Sequence, residues 1–279
     1  MYLGGKPVKI YDFDEKFYEY ARTWMSLHPG MTDRQVEDSY NEIMLNWLNA
    51  PATWLGGVKP GEYFQRYSDP GDLIKLLEEY DKRSIGLPEP LYSRIAAVGA
   101  PCVEPLMRIV KNPDRPESLR ASALALLRDI DSRDAIPLYV DLICESKDED
   151  EIADMATDIL CQSDGFATKA LLDRYPAASE SGQVRILEVC SSFPGDDRIL
   201  EHLLYKLMNR PEQRALFASL LGKVGDPRAV EALKSLLSAS DIGYLDYIEL
   251  RNTVEALGGD PGEERTFYGD PDYEAMRNL

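Results

Sequence analysis

The sequence predicts an all-α protein in which helical hairpins follow one another in tandem. A turn signal, an acidic or small residue often followed by proline, recurs at intervals of 30 to 34 residues. Between these turns the apolar residues keep helical spacing, and no stretch alternates with the period of two that strands require. The turn signals are Asp69-Pro70, Ala100-Pro101, Asp131-Ser132, Asp164-Gly165, Asp196-Asp197, Asp226-Pro227 and Asp260-Pro261. A regular interval of this length indicates a repeat architecture.

Residues 1–68 come first and are unlike the rest, because they contain half of the aromatic residues of the chain. One helix is predicted over about residues 14–27. A second follows Thr32, whose capping box with Gln35 marks the helix start, and its apolar face continues through Leu48. Stacked repeats need a terminal unit over their apolar end, so we expect this segment to be an aromatic-rich helical cap.

Residues 69–260 are predicted to form about six hairpins of two helices each. An aspartate at a turn accepts hydrogen bonds from the free N–H groups of the next helix, and a proline at the first helical position presets φ. A glycine before the turn, such as Gly99 or Gly225, allows the preceding helix to end in a left-handed conformation. Residues 261–279 are predicted to be a tail that docks in part through its aromatic side chains.

The run Leu221–Leu233, LGKVGDPRAVEAL, resembles the short HEAT-like repeat that also occurs in phycobilisome lyases. In that family a first helix ends in Leu-Gly-x-x-Gly-Asp, and the second helix turns apolar residues towards the neighbouring unit. The resemblance extends to residues 95–110 and becomes degenerate between residues 131 and 196. It implies a right-handed α-α superhelix, a solenoid in which the second helix of each unit lines the concave face.

By this resemblance, polar residues of the second helices are candidates for a groove that binds a protein or peptide segment. The same charges at spacings of three or four are also typical of ordinary pairing on a helix surface, and both interpretations stay open. His202 and Lys206 are expected on the solvated side of their helix. The candidate binding residues are Glu104, Arg108, Asp141, Glu145, His202, Lys206, Glu231 and Lys234, with Trp54 added from the cap.

Two alternative hypotheses concern small molecules. The first is a ligand pocket at the junction of the cap and the first hairpin, around Trp47, Trp54 and Tyr63, although aromatic residues at helical spacing are more typical of a core. The second follows from the resemblance and is bilin-lyase-like handling of a chromophore. The sequence offers no group that would fix a tetrapyrrole.

Catalysis is not indicated, and no cofactor or metal is expected. His28 and His202 are the only histidines, and neither has a cysteine or histidine at metal-ligand spacing. The sequence lacks a phosphate-binding loop, a nucleophile elbow and a calcium loop. The four cysteines lie far apart in apolar helical patterns, which predicts free buried thiols in a reducing cytoplasm.

The charge balance excludes one class of partner and suggests another. With 49 acidic and 31 basic residues in 279, the net charge of −18 argues against nucleic-acid binding, which depends on basic surface. No apolar run is long enough for a membrane helix, and the N-terminus has no apolar signal-peptide core. Residues 132–164 hold ten acidic and two basic residues. This surplus indicates either solubility or a patch for a basic partner. The predicted function, a cytoplasmic protein-binding scaffold, follows from the repeat architecture, because an extended stack offers a long curved surface and no deep cavity for chemistry.

Overall fold

The computed structural model describes residues 2–3 and 6–277, and nearly all of its regular structure is α-helix. The exception in these ranges is a two-residue antiparallel ladder between β1 (Tyr2–Leu3) and β2 (Lys6–Pro7). The all-α prediction is therefore confirmed. The chain divides into two compact units, residues 1–138 and residues 139–279, which are described separately below.

Helices of the first unit are joined by short turns and by the 3-10 helices Thr53–Leu55, Pro60–Arg66 and Arg133–Ala135. The α-helices are α1 (Phe13–Leu27), α2 (Asp33–Asp38), α3 (Tyr40–Asn49), α4 (Pro70–Lys82), α5 (Glu89–Val98), α6 (Ala100–Lys111) and α7 (Glu117–Ile130). The next helix, α8 (Ile136–Cys144), follows the 3-10 helix Arg133–Ala135 and includes the residues at which the two units are divided.

The helix predicted after Thr32 is correct at its start and wrong in its continuity. Both bonds of the capping box form, from Gln35 N to Thr32 Oγ1 at 3.4 Å and from Thr32 N to Gln35 Oε1 at 2.9 Å. The helix is interrupted at Ser39, which separates α2 from α3. At this break the Gln35 carbonyl accepts two hydrogen bonds, from the Ser39 hydroxyl at 2.8 Å and from Ser39 N at 3.1 Å.

Aromatic rings form the core of the N-terminal helices. Phe13 lies at the centre, with its ring centroid 6.1 Å from Trp47, 5.3 Å from Trp54 and 5.4 Å from Phe64. Trp47, Tyr63 and Phe64 are buried, and most of the ring pairs are edge-to-face or tilted. This arrangement is the favoured packing of aromatic quadrupoles, so these rings act as core residues.

The turn signals of the first unit mark helix boundaries as predicted. Asp69 caps α4 by accepting from Asp72 N at 2.9 Å, and Pro70 occupies the first turn. Gly99 joins α5 to α6 with a φ of 70°, and α6 packs against α7. At the end of α7, Asp131 itself adopts the left-handed conformation with a φ of 52°. Each signal reflects a local need, either a hydrogen bond at a helix end or a left-handed backbone position. Such needs can be predicted from the nearby sequence.

Helices of the second unit continue in pairs. The α-helices are α9 (Glu151–Cys161), α10 (Thr168–Arg174), α11 (Glu180–Ser191), α12 (Asp197–Asn209), α13 (Arg214–Val224), α14 (Val230–Leu237), α15 (Tyr244–Ala256) and α16 (Pro271–Arg277). Three 3-10 helices lie between them, Tyr175–Ala177, Pro211–Gln213 and Pro227–Ala229. Alternate helices α9, α11, α13 and α15 pack successively against one another. The helices between them also pack on this row, α10 on α11, α12 on α11 and α13, and α14 on α15.

The turns of this unit also match the sequence pattern. Gly165 has a φ of 78° between α9 and α10, and Asp196 caps α12. Gly225 ends α13 in the left-handed conformation, and the next residue, Asp226, caps the 3-10 helix that leads into α14. Acidic residues before α9 are used in the same way, because Asp150 accepts from Ala153 N at 3.1 Å.

The tail docks against α15. Phe267 is buried, with its ring 4.8 Å from Tyr247 and 5.6 Å from Tyr244. Arg265 N donates to the Tyr247 hydroxyl at 3.0 Å, and Arg251 Nη1 donates to the Gly262 carbonyl at 2.9 Å. One aromatic anchor and several polar bonds therefore hold the segment that precedes α16.

Candidate functional site

Two candidates in the second unit, Asp141 and Glu145, form intramolecular ion pairs with Arg174. Asp141 Oδ1 accepts a hydrogen bond from Arg174 Nη1, and Glu145 Oε1 lies 3.7 Å from Arg174 Nη2. Both carboxylates therefore face the arginine at the end of α10, whereas the sequence interpretation assigned them to a free polar groove. This pairing reduces the charge that they can offer to a partner.

Other arginines of this unit make similar contacts with acids far away in sequence. Arg185 on α11 pairs with Asp154 on α9 at 2.7 Å, 31 residues earlier. Arg198 on α12 pairs with Asp173 on α10 at 2.9 Å, 25 residues earlier. These contacts join successive hairpins. No short motif predicts these contacts, and their signal in the sequence is an arginine that follows an acid by about one repeat interval, as Arg185 follows Asp154.

A shorter pattern accompanies these links at two hairpin turns. Asp196 accepts hydrogen bonds from Arg198, and Asp226 accepts them from Arg228, so an Asp-x-Arg spacing recurs after 30 residues. The bond from Arg198 lowers the pKa of Asp196 to about 2. Arg228 also reaches Asp197 at 2.6 Å. Each arginine therefore connects its own turn to the preceding hairpin.

His202 is half-buried, whereas the sequence predicts it on the solvated side of its helix. Its ring stacks on Tyr175, with centroids 4.0 Å apart and an angle of 18° between the planes. Burial lowers the pKa of His202, because the charged imidazolium loses hydration there. The contact joins α12 to the 3-10 helix Tyr175–Ala177, so His202 has a packing role.

Lys206 is the clearest correction among the candidates. It lies one turn after His202 on α12 and is only 5% exposed, so it belongs to the buried side of the helix. Burial lowers the pKa of its amine, and among the described residues no charged neighbour contributes to that shift. Lys206 follows the buried Ile199 and Leu203 by seven and three residues, so its helical position lies on the apolar stripe of α12, whereas its charge is typical of a solvated residue.

The exposed face of α12 carries two large side chains that the candidate set did not include. Tyr205 is 65% exposed and Met208 is 49% exposed, and they are three residues apart. Glu201 is exposed one turn before Tyr205. We call Glu201, Tyr205 and Met208 the α12 face. Their spacing places them along one side of the helix, which a helical projection of the sequence could have detected.

The remaining candidates lie apart from this face or do not pair. In the second unit, Glu231 is exposed and Lys234 half-buried on α14, and they form no ion pair in the described part of the chain. In the first unit, Glu104 and Arg108 are exposed on α6 with 3.9 Å between Glu104 Oε1 and Arg108 Nε. Trp54 packs within the aromatic core beside Phe13.

A cleft of about 500 Å³ lies beside that aromatic core in the first unit. Its walls come from α3, the 3-10 helix Pro60–Arg66 and α5, and we call it the α5 cleft. The residues of the expected ligand pocket lie elsewhere, because Trp47 and Tyr63 are buried in the aromatic core.

The thiols have properties of core residues. Cys102, Cys144 and Cys190 are buried, Cys161 is half-buried, and all four are free. Burial raises the pKa of each thiol, and that of Cys190 rises to about 12. Such thiols are poor nucleophiles, which disfavours covalent attachment of a chromophore through cysteine.

Within residues 2–3 and 6–277, no three potential ligands among histidine, cysteine, aspartate and glutamate come together as a metal site. In the same ranges no helix combines the length and the apolar character needed to cross a membrane. Comparison with protein-family models, curated proteins and solved structures found no match.

Proposed function

We propose that this chain is a protein-binding scaffold made of HEAT-like hairpins that stack into a right-handed superhelix. The regular turn interval and the pairwise helices support the repeat. Arginine links such as Arg185 to Asp154 support the stacking of equivalent elements within the second unit. The proposal includes no catalytic step, and the free thiols support a reducing compartment such as the cytoplasm.

The observation that carries the binding function is the α12 face. Aromatic and methionine side chains are enriched at the centres of protein interfaces, because they bury large apolar areas and tolerate varied partners. Exposing Tyr205 and Met208 together leaves apolar surface in water, which a partner would cover.

Charge narrows the class of partner. Glu201 extends the α12 face, and the whole chain carries a net charge of −18. A partner segment with basic residues around an apolar side chain would match both properties. The groove lined by polar residues of the second helices has less support as a binding site. Asp141 and Glu145 are paired with Arg174, and Lys206 is buried.

The test replaces Tyr205 by a photo-crosslinking phenylalanine analogue and uses the purified 279-residue chain to capture partner proteins from an extract of its native cells. We expect a defined protein to crosslink at this position. A double variant with Tyr205→Ala and Met208→Ala should weaken binding of the purified partner at least tenfold, since two interface anchors are removed.

The matched control places the same crosslinker at Tyr18, which is 61% exposed on α1 in the first unit. Equal crosslinking of the same protein at Tyr18 and Tyr205 would contradict a specific role for the α12 face. Unchanged affinity in the double variant would also contradict it.

A further inference from the structure

We propose that the α5 cleft binds a small monocarboxylate with an apolar body. The cleft belongs to the first unit and the α12 face to the second, so this inference does not rest on the proposed protein-binding function. The volume of about 500 Å³ falls in the range of small-molecule sites.

The anion-recognising group is Arg94. In the described residues it makes one hydrogen bond, from Nε to the Tyr67 carbonyl at 2.8 Å. This bond holds the guanidinium at the cleft wall, and neither Nη group has a hydrogen-bond or ion-pair partner among residues 2–3 and 6–277. A guanidinium held in this way can donate two parallel hydrogen bonds to a carboxylate, and such charge-assisted pairs are among the stronger polar contacts.

The rest of the wall limits the ligand to one negative charge. Glu89 also lines the cleft, and its carboxylate accepts a hydrogen bond from Ser93 at 2.5 Å. The wall therefore carries one positive and one negative group, so a dicarboxylate or a phosphate dianion would be repelled by Glu89 through both of its charges while Arg94 offers a single positive charge. The geometry therefore favours a monocarboxylate over a dianion.

Apolar residues provide the surface for the body of the ligand. Leu48, Pro90 and Ala97 line the cleft along with the polar groups. Gly61 allows one wall to form, because a Cβ at this position would lie only 3.2 Å from the Leu48 carbonyl oxygen. Without a side chain here, the 3-10 helix can lie close to α3.

The experiment is an NMR titration of the full-length protein with 4-phenylbutyrate, with 4-phenylbutyramide as the uncharged analogue. We expect amide shifts of Gly61, Ser93, Arg94 and Ala97, with a Kd of about 1 mM for a ligand of this size in an open cleft. The amide should bind at least about tenfold more weakly, because it cannot pair with a cation. Equal affinity of acid and amide would overturn the proposal.

Three variants separate binding from folding. Arg94→Gln should weaken binding of 4-phenylbutyrate about tenfold or more, while the control Arg22→Gln, at an exposed arginine on α1 outside the cleft, should leave the affinity unchanged. Ala97→Leu narrows the cleft at an exposed helix position, so it should weaken binding without a loss of melting temperature. If Arg94→Gln fails to fold, Ala97→Leu decides the outcome. Wild-type affinity in a folded Ala97→Leu variant, or shifts that lie outside the cleft, would refute the site.

Discussion

At the scale of single residues, Lys206 is an example of a charged side chain that packing against neighbouring elements removes from solvent. Charged amines are rarely buried without a partner, since the ion loses hydration that nothing replaces. Here the residue as a whole is 5% exposed, and burial lowers the pKa of its amine. Its burial should therefore cost stability at neutral pH.

Replacing this amine should stabilise the protein. We expect Lys206→Met to raise the free energy of unfolding at pH 7 by about 1 kcal/mol, because an apolar chain of similar length avoids the desolvation cost. The unfolded amine takes up its proton near pH 10.5 and the folded amine only at lower pH, so protonation favours the unfolded state between these values. The advantage of the variant should shrink as pH rises towards 10.5.

Urea denaturation measures both effects, with Lys75→Met as the control. Lys75 is exposed, so its replacement should change the free energy of unfolding by less than about 0.5 kcal/mol. A Lys206→Met variant that is less stable than the wild type would show that the amine makes a favourable interaction.

At the scale of elements, α11 approaches α8 at a glycine. A Cβ on Gly182 would lie 2.7 Å from the Ile143 carbonyl oxygen and 2.9 Å from that of Cys144. These are backbone atoms, which cannot move away without shifting a helix. The close approach also lets Ser179 N donate to the Cys144 carbonyl at 3.1 Å.

Two glycine-to-alanine substitutions should therefore have opposite effects. Gly182→Ala should lower the free energy of unfolding by about 2 kcal/mol, because overpacking forces the helices apart. Gly222→Ala is the matched control in α13, where the nearest atom to the new Cβ is Thr253 Cγ2 at 3.5 Å. It should raise stability by up to about 1 kcal/mol through helix propensity. Similar melting temperatures for the two variants would contradict this interpretation.

The helices were largely predictable because their boundaries depend on nearby residues. A capping box at Thr32, an aspartate cap at Asp69 and a left-handed Gly225 all act within one turn of the chain. Contacts between hairpins were not predictable in this way. The Arg185 link to Asp154 spans 31 residues, and the ring of His202 stacks on Tyr175, which lies in an element before its own helix. The missed α12 face is different, since its spacing was present in the sequence and only its exposure was unknown.

For the molecule as a whole, the excess of negative charge opposes the attraction of the individual ion pairs. Exposed pairs such as Arg228 with Asp197 contribute little in water. The net charge of −18, in contrast, produces repulsion throughout the folded chain. The repulsive contribution should dominate the response of stability to salt.

We therefore expect the melting temperature to rise by a few degrees between about 20 mM and about 300 mM sodium chloride, since the Debye length falls below about 10 Å over this range. Calorimetry at pH 7 measures the shift. Potassium chloride should give the same result if screening is responsible. A falling melting temperature would show that the links between hairpins outweigh the general repulsion.

The buried thiols have a practical consequence for fluorescence spectroscopy. Maleimide dyes react with thiolates, and the raised pKa values keep all four native cysteines protonated at neutral pH. A cysteine introduced at an exposed site such as Tyr18 would thus be labelled faster than any of them. Donor and acceptor dyes could then report distances within this chain while its native cysteines stay in place.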